Sequence, residues 1–151
     1  MGKTEIRPAT YEDLDILLDI AAAMHRESSR FARLEFSNAK VLQLFITLIE
    51  SDNGLLLVAE RDDTVVGAVA AMIGQHWFSE DIVANEYGVF ILPQHRGGMT
   101  GARLVRGYIE WAKTKGANMI QLGISTGVHT DETAALYRAL GLKQFSIGFE
   151  V

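Results

Sequence analysis

Apolar residues in the first fifty positions recur at the three- and four-residue spacing of amphipathic helices. After a short opening strand over 4–10, the spacing predicts a helix over 10–28. Thr10 is a typical N-cap, and acidic residues follow it in the first turn. We predict a loop or short turn over 30–36 and a second helix capped by Ser37. The two apolar stripes are formed by Leu14, Leu17, Leu18 and Ala21 and by Val41, Leu44, Phe45 and Leu48.

From residue 54 the helical spacing gives way to continuous apolar runs, which are typical of buried strands. Two runs within 54–73, separated by "ERDDT", predict an antiparallel hairpin. The remaining elements are predicted as a strand over 81–93, a helix over 100–116, a strand over 117–125, a helix over 130–141 and a last strand over 143–151. The order β-α-α-β-β-β-α-β-α-β predicts one α/β domain over 1–151, with a mixed central sheet flanked by helices.

Composition and charge narrow the classes of function. The 151 residues are 48% hydrophobic and 22% charged, which is ordinary for a globular chain. The net charge of −5 argues against a nucleic-acid partner. Because no stretch resembles a membrane span or a secretory signal, we expect a cytoplasmic protein without a membrane partner. The absence of cysteine excludes disulfides and thiolate nucleophiles, and the histidines lack metal-ligand spacing, so we expect no metal.

Glycines crowd into the junction between the 81–93 strand and the 100–116 helix. Arg96, Gly97, Gly98 and Gly101 fall within six positions. A helix N-terminus presents unpaired N–H groups and a partial positive charge, and bare backbone lets a phosphate approach them. The alternative is a flexible connection in which the glycines only turn the chain. The sequence lacks both the Walker loop and the dinucleotide fingerprint.

Four segments in this order resemble the GNAT superfamily of acetyl-CoA-dependent N-acetyltransferases over nearly the whole chain. They are "IRPAT" with the start of the first helix (6–13), the hairpin "LLVAERDDTVVGAVAAM" (56–72), the segment "VFILPQHRGGMTGARLVRGYIEWAKTKGA" (89–117) and "AALYRALGL" (134–142).

The resemblance implies a coenzyme A site along the strand and the glycine loop. The pantetheine arm would lie against the backbone of Val89, Phe90 and Ile91. The pyrophosphate would meet the amides of the loop, which consists of Arg96, Gly97, Gly98, Met99, Thr100, Gly101 and Ala102. Met99 stands where the family carries a glycine, so its side chain either faces outward or covers the cofactor. Gly88 is compatible with a bulge in the strand or with simple packing.

The resemblance further implies direct acetyl transfer to a primary amine of a small molecule or peptide, in a ternary complex. Glu86 is the candidate general base, with Glu80 and Asp81 as weaker alternatives; it could instead form a structural ion pair or face solvent. Tyr137 is the candidate general acid, or else an ordinary packing aromatic. The stretch 76–81 is a candidate lip of the acceptor pocket or a homodimer contact, unless its Trp and Phe lie in the core. The rival function is a non-catalytic acyl-CoA-binding or regulatory module with the same fold.

Overall fold

The fold is a five-stranded sheet with helices on both faces. The computed structural model describes residues 2–151. The strands are β1 Thr4–Pro8, β2 Gly54–Arg61, β3 Thr64–Gln75, β4 Ile82–Ile91 and β5 Met119–Gln121. The helices are α1 Leu14–Glu27, α2 Asn38–Glu50, α3 Thr100–Thr114 and α4 Thr130–Ala139. Short 3₁₀ turns lie at Tyr11–Asp13, Phe31–Arg33 and Pro93–His95. The sheet order is β1-β2-β3-β4-β5, with β4 and β5 parallel and all other neighbours antiparallel.

Local sequence signals account for several of these boundaries. Asp62 and Asp63 adopt positive φ angles of 51° and 61°, the geometry of a tight two-residue hairpin turn, so β2 and β3 form the predicted hairpin. The Ser37 hydroxyl accepts a hydrogen bond from the Lys40 amide at 3.2 Å and caps α2 as expected. The segment over 30–36 contains only the 3₁₀ turn, which confirms the predicted loop or short turn.

Two apolar layers hold the helices to the sheet. On one face, Leu104 and Tyr108 of α3 pack against β2 and β3. On the other face, Leu17 of α1 and Phe45 of α2 pack against the opposite side of the same strands. Because β2 and β3 are covered on both faces, they appear in the sequence as unbroken apolar runs rather than as an alternating pattern.

A bulge in β4 opens the sheet. Ala70 of β3 pairs with Gly88 and Ala71 pairs with Glu86, so Tyr87 is an extra residue without a partner. Gly88 therefore lies at a bulge, the first of its two predicted alternatives. β4 pairs with β5 only between Val83–Asn85 and Met119–Gln121. Beyond the bulge the two parallel strands separate, and a slot lies between them.

The predicted last strand is wrong. Residues 143–151 form no strand, and β5 covers only Met119–Gln121 of the predicted 117–125. Phe145, Ile147 and Phe149 do alternate with polar residues, but they are 62%, 72% and 94% exposed. Alternation shows that a segment suits a pleated surface, whereas a strand also needs an edge with which to pair. The sheet therefore has five strands rather than six. No helix within residues 2–151 is both long and apolar enough to cross a membrane.

Candidate active site

The slot beyond the bulge is a cavity of about 580 Å³. This volume lies in the range of small-molecule sites, about 300–1,000 Å³. β4 forms one wall, and the segment after β5 forms the other. The N-terminus of α3, one side of α4 and the end of α1 complete it.

The N-terminus of α3 presents free backbone donors to this cavity. The first hydrogen bond of the helix runs from the Arg103 amide to the Met99 carbonyl at 2.9 Å, so the amides of Thr100, Gly101 and Ala102 precede it. Gly97 has a φ of 99°, which favours glycine. A Cβ built on Gly98 would meet no atom within 4 Å. The backbone of the loop is therefore open to a bound group.

The side chains of Met99, Thr100 and Ala102 leave only the backbone of this part of the loop for a ligand. Met99 is 59% exposed and does not line the slot, so its side chain faces outward, the first of its two predicted orientations. Thr100 is buried, and its hydroxyl accepts a hydrogen bond from the Arg61 guanidinium at 3.0 Å. Ala102 is buried in the core. These residues can offer only their main-chain amides to a ligand.

The strip of β4 that follows the bulge has one free edge. Val89, Phe90 and Ile91 pair with β3 on one side and line the cavity on the other. The Ile91 carbonyl is already occupied, because it accepts a hydrogen bond from Nε of Arg96 at 2.8 Å. An extended ligand lying along this edge can pair with the backbone in the manner of an added strand.

The Arg96 guanidinium contacts α1 rather than the open loop. Its two terminal nitrogens donate to the two carboxylate oxygens of Glu27, both at 2.7 Å. The guanidinium also lies over the Phe90 ring, with 5.0 Å from Cζ to the ring centroid. Arg96 holds the pKa of the Glu27 carboxyl below its usual range. Arg96 thus joins the glycine loop to the last turn of α1.

The residue after Glu27 attaches α1 to the opposite wall. The buried Ser28 hydroxyl donates to the Thr126 carbonyl at 2.6 Å and accepts from the Phe31 amide at 3.1 Å. Arg30 donates to the Ser125 carbonyl at 2.7 Å. The sequence analysis did not single out Glu27 or Ser28, because each contacts a partner 69 or 98 positions away, and no local pattern reports such pairs.

Glu86 and Tyr137, the candidate base and the candidate acid, both line the slot. The Glu86 carboxylate accepts a hydrogen bond from the Gly123 amide at 2.8 Å, and burial raises its pKa. Burial and the Glu86 charge together raise the pKa of Tyr137 to about 12. Within residues 2–151 no hydrogen bond to the Tyr137 hydroxyl is formed. A partly buried carboxyl group and a partly buried phenol therefore line the same cavity.

The sequence matches the family described as Acetyltransferase (GNAT) over residues 18–142, most of the chain. The chain belongs to the GNAT family of acetyltransferases. The sequence-based resemblance and the prediction of an acyltransferase are thereby confirmed.

Individual relatives agree with this assignment. An uncharacterized N-acetyltransferase of Archaeoglobus fulgidus is 29% identical over 123 residues, 80% of this chain and 81% of the relative. Among solved structures, a transcriptional regulator from Bacillus halodurans has a TM-score of 0.79 at 23% identity, covering 99% of both chains. An aminoglycoside N-acetyltransferase in complex with CoA has a TM-score of 0.81 at 16% identity, covering 100% of this chain and 95% of that one. The two structures show that the fold is shared.

A second tyrosine near the slot of this GNAT chain differs from Tyr137 in its hydrogen bonding. Tyr108 of α3 is fully buried, and its hydroxyl donates to the Gln121 carbonyl at 2.7 Å. Burial and the Glu86 charge raise the pKa of Tyr108 as well, but its proton is committed to that carbonyl. Of these two tyrosines, Tyr137 is the one whose hydroxyl is available to a ligand.

The alternatives to Glu86 lie outside the slot of this GNAT chain. Glu80 and Asp81 do not line the cavity; the Asp81 carboxylate accepts a hydrogen bond from Ser79 in an exposed loop. Trp77 and Phe78 of the same loop are 89% and 71% exposed, so the alternative that they lie in the core is wrong. The two rings contact each other edge to face, with centroids 5.1 Å apart.

Proposed function

We propose that this GNAT protein transfers the acetyl group of acetyl-CoA to a primary amine of a small molecule, by direct attack in a ternary complex. The observation that carries the proposal is the meeting of Glu86 and Tyr137 in the slot that also ends at the open amides of α3. A carboxylate and a phenol at one end and an anion-binding helix N-terminus at the other suit a ligand with a reactive group and a distant diphosphate.

The residues present fit acetyl-CoA. The open backbone at Gly97 and Gly98 and the amides of Thr100 to Ala102 would hold the pyrophosphate. The free edge of Val89–Ile91 would hold the pantetheine arm. Acetyl-CoA supplies the acetyl group as an activated thioester. The proposed role of Arg96 follows from its contacts: it holds the loop in position through Glu27 and Ile91, while the amides bind the phosphates.

The two side chains of the slot would move the protons of the reaction. In the transfer a nitrogen–carbon bond forms and a carbon–sulfur bond breaks. Glu86, whose pKa is raised by burial, takes the proton lost by the attacking nitrogen, directly or through a water molecule. Tyr137, with a pKa of about 12, keeps its proton at neutral pH and donates it toward the departing sulfur. The hydrogen bond from Gly123 holds the Glu86 carboxylate in place.

Charge supports a cationic amine as the acceptor. Glu86 and Glu132 line the cavity, and the pair formed by Glu27 and Arg96 has no net charge. Carboxylates around a narrow site attract a positively charged amine and raise its local concentration. An aminoglycoside, the substrate class named for one structural neighbour, is such a polyamine and is the first acceptor to test.

Thiol release from acetyl-CoA tests the proposal over a panel of aminoglycosides, polyamines, amino acids and peptides. We expect turnover with a small polyamine, and we expect Glu86→Gln and Tyr137→Phe each to lower kcat by about 10²-fold or more. Glu80→Gln and Tyr11→Phe are matched controls, because both side chains lie outside the slot. Full turnover in Glu86→Gln and Tyr137→Phe would contradict the assigned roles. Tight binding of acetyl-CoA without turnover of any acceptor would contradict the proposed reaction.

A further inference from the structure

The apolar stripe of α1 continues beyond the core and ends at Met24. Leu17 and Ile20 of this stripe are buried in the layer that packs on the sheet. Met24 follows Ile20 by four residues and therefore lies on the same side of the helix. Its side chain is half-buried, belongs to neither apolar layer within residues 2–151 and lines the slot instead. Met24 is thus an apolar group of α1 that is free to contact a ligand.

Met24 covers the bulge of β4. A Cβ built on Gly88 would lie 3.6 Å from the Sδ atom and 3.9 Å from the Cε atom of Met24. Apart from the residues that flank Gly88, no other atom of residues 2–151 comes within 4 Å of that point. The thioether is therefore the group that faces the strand where it bulges.

The bulge is also where the proposed cofactor ends, so this inference rests on the proposed function. With the pyrophosphate at the amides of α3 and the pantetheine arm along Ile91 to Val89, Gly88 is the next residue of the strand. The thioester then lies beside Gly88, in the slot that Glu86 and Tyr137 line. The acyl group extends past the sulfur, and at that point the Met24 side chain lies over the strand.

We propose that Met24 is a specificity-determining residue that limits the acyl group to acetyl. The methyl of an acetyl group ends against the thioether, whereas a propionyl or butyryl chain continues into the space that the thioether fills. A longer chain therefore fits only when the Met24 side chain is displaced or shortened.

The backbone of α1 does not withdraw to make room for a longer chain. In the turn after Met24, Glu27 pairs with Arg96 of the glycine loop. Ser28 donates a hydrogen bond to the Thr126 carbonyl on the opposite wall. These two attachments fix the distance between the helix and the slot, so the size of residue 24 sets the space that remains for the acyl group.

Steady-state kinetics with acetyl-, propionyl- and butyryl-CoA test the proposal, with one polyamine acceptor held constant. An apolar site discriminates against one additional methylene by about 10–200-fold, so we expect wild type to favour acetyl-CoA over butyryl-CoA by about 100-fold or more in kcat/KM. In Met24→Ala the two values should lie within about 5-fold of each other, because the thioether is gone. Met24→Leu, which keeps a side chain of similar volume, should retain the wild-type preference.

Met119→Ala is the matched control, because this methionine of β5 is 49% exposed and does not line the slot. Its acyl preference should equal that of wild type. Equal use of acetyl-CoA and butyryl-CoA by wild type, or an equal loss of preference in Met119→Ala, would overturn the proposal. An unchanged acyl preference in Met24→Ala with a raised KM for the amine would place Met24 at the acceptor and overturn it as well.

Calorimetry with the same three thioesters separates this proposal from the proposed reaction. If no amine is acetylated, the proposed reaction fails, and the affinities decide whether Met24 limits the acyl group. Wild type should then bind butyryl-CoA about 10-fold or more weakly than acetyl-CoA, and Met24→Ala should bind both alike. Equal affinities in wild type, a difference that persists in Met24→Ala, or no binding of acetyl-CoA would contradict the limit.

Discussion

The ion pair between Glu27 and Arg96 gives the sharpest quantitative prediction. Both carboxylate oxygens and both terminal guanidinium nitrogens take part, at 2.7 Å, and the side chains are only 25% and 29% exposed. A double-mutant cycle of Glu27→Ala and Arg96→Ala should therefore give a coupling free energy of about 1–3 kcal/mol. An exposed surface pair would give about 0–1 kcal/mol.

Arg96→Ala alone should lower the free energy of unfolding by more than the coupling free energy between Glu27 and Arg96. It also removes the hydrogen bond to the Ile91 carbonyl and the contact with the Phe90 ring. Adding these contributions gives a loss of about 2–4 kcal/mol in the free energy of unfolding. For a chain of this length that corresponds to a fall in Tm of about 5–15 °C. Urea and thermal unfolding of the four proteins of the cycle measure both quantities.

The pH dependence of the pair has a definite sign. Arg96 lowers the pKa of Glu27 in the folded state below 4.5, the ordinary pKa of a glutamate. The ion pair therefore contributes its full stabilisation above pH 4.5, and this stabilisation is lost as the pH falls through the lowered pKa of the folded state. Arg106→Ala, an exposed arginine on α3, is the control and should change stability by less than about 0.5 kcal/mol. The structural role would be refuted if Arg96→Ala left the free energy of unfolding unchanged and weakened acetyl-CoA binding. That result would indicate that the guanidinium contacts the phosphates instead.

Three further predictions follow from the slot and the sheet. Because burial raises the Glu86 pKa, kcat/KM should fall on the acid side at a pH above 4.5, the ordinary pKa of a glutamate. This acid-side fall should be absent from the pH profile of Glu86→Gln. The Tm of Glu86→Gln at pH 8 should not be lower than that of wild type, because burial disfavours the charged form that the substitution removes. Gly97→Ala should lower the free energy of unfolding by about 1–2 kcal/mol, because residue 97 has a φ of 99°. Gly98→Ala should leave urea unfolding unchanged, because a Cβ at this position meets no atom within 4 Å, and should raise the KM for acetyl-CoA several-fold. Asp13→Asn should lower the free energy of unfolding by about 1.5–3 kcal/mol at pH 7, because the Asp13 carboxylate accepts two hydrogen bonds from Arg7, at 2.8 and 3.0 Å. Since Arg7 lowers the Asp13 pKa, the difference from wild type should shrink as the pH falls through that lowered pKa. A loss of equal size at every pH would contradict this prediction.

Much of the fold could be predicted because its signals are local. The spacing of apolar residues in α1 and α2 and the turn at Asp62 and Asp63 depend on neighbours within a few positions. Glu86 could be singled out for a similar reason, since an acidic residue in an otherwise uncharged strand stands out in the sequence alone.

The features that the sequence did not predict depend on partners far along the chain. The contact of Arg96 joins positions 69 apart, so its residue type indicated a charge but not the group that neutralises it. Residues 143–151 have the alternation of a strand, yet whether they form one depends on a free edge that the sequence does not display. The sequence likewise left two orientations open for Met99, and only its exposure in the folded chain decides between them.

The last turn of α1 acts as a spacer between the two walls of the slot. Glu27 attaches it to the glycine loop, and Ser28 attaches it to the segment after β5, at Thr126. Phe31, three residues after Ser28, also lines the cavity. Under the proposed function, replacing Phe31 would change the space left for the amine while the two attachments keep the walls at the same distance. Selectivity for the acceptor and the geometry of the chemical step would then be separable targets for engineering.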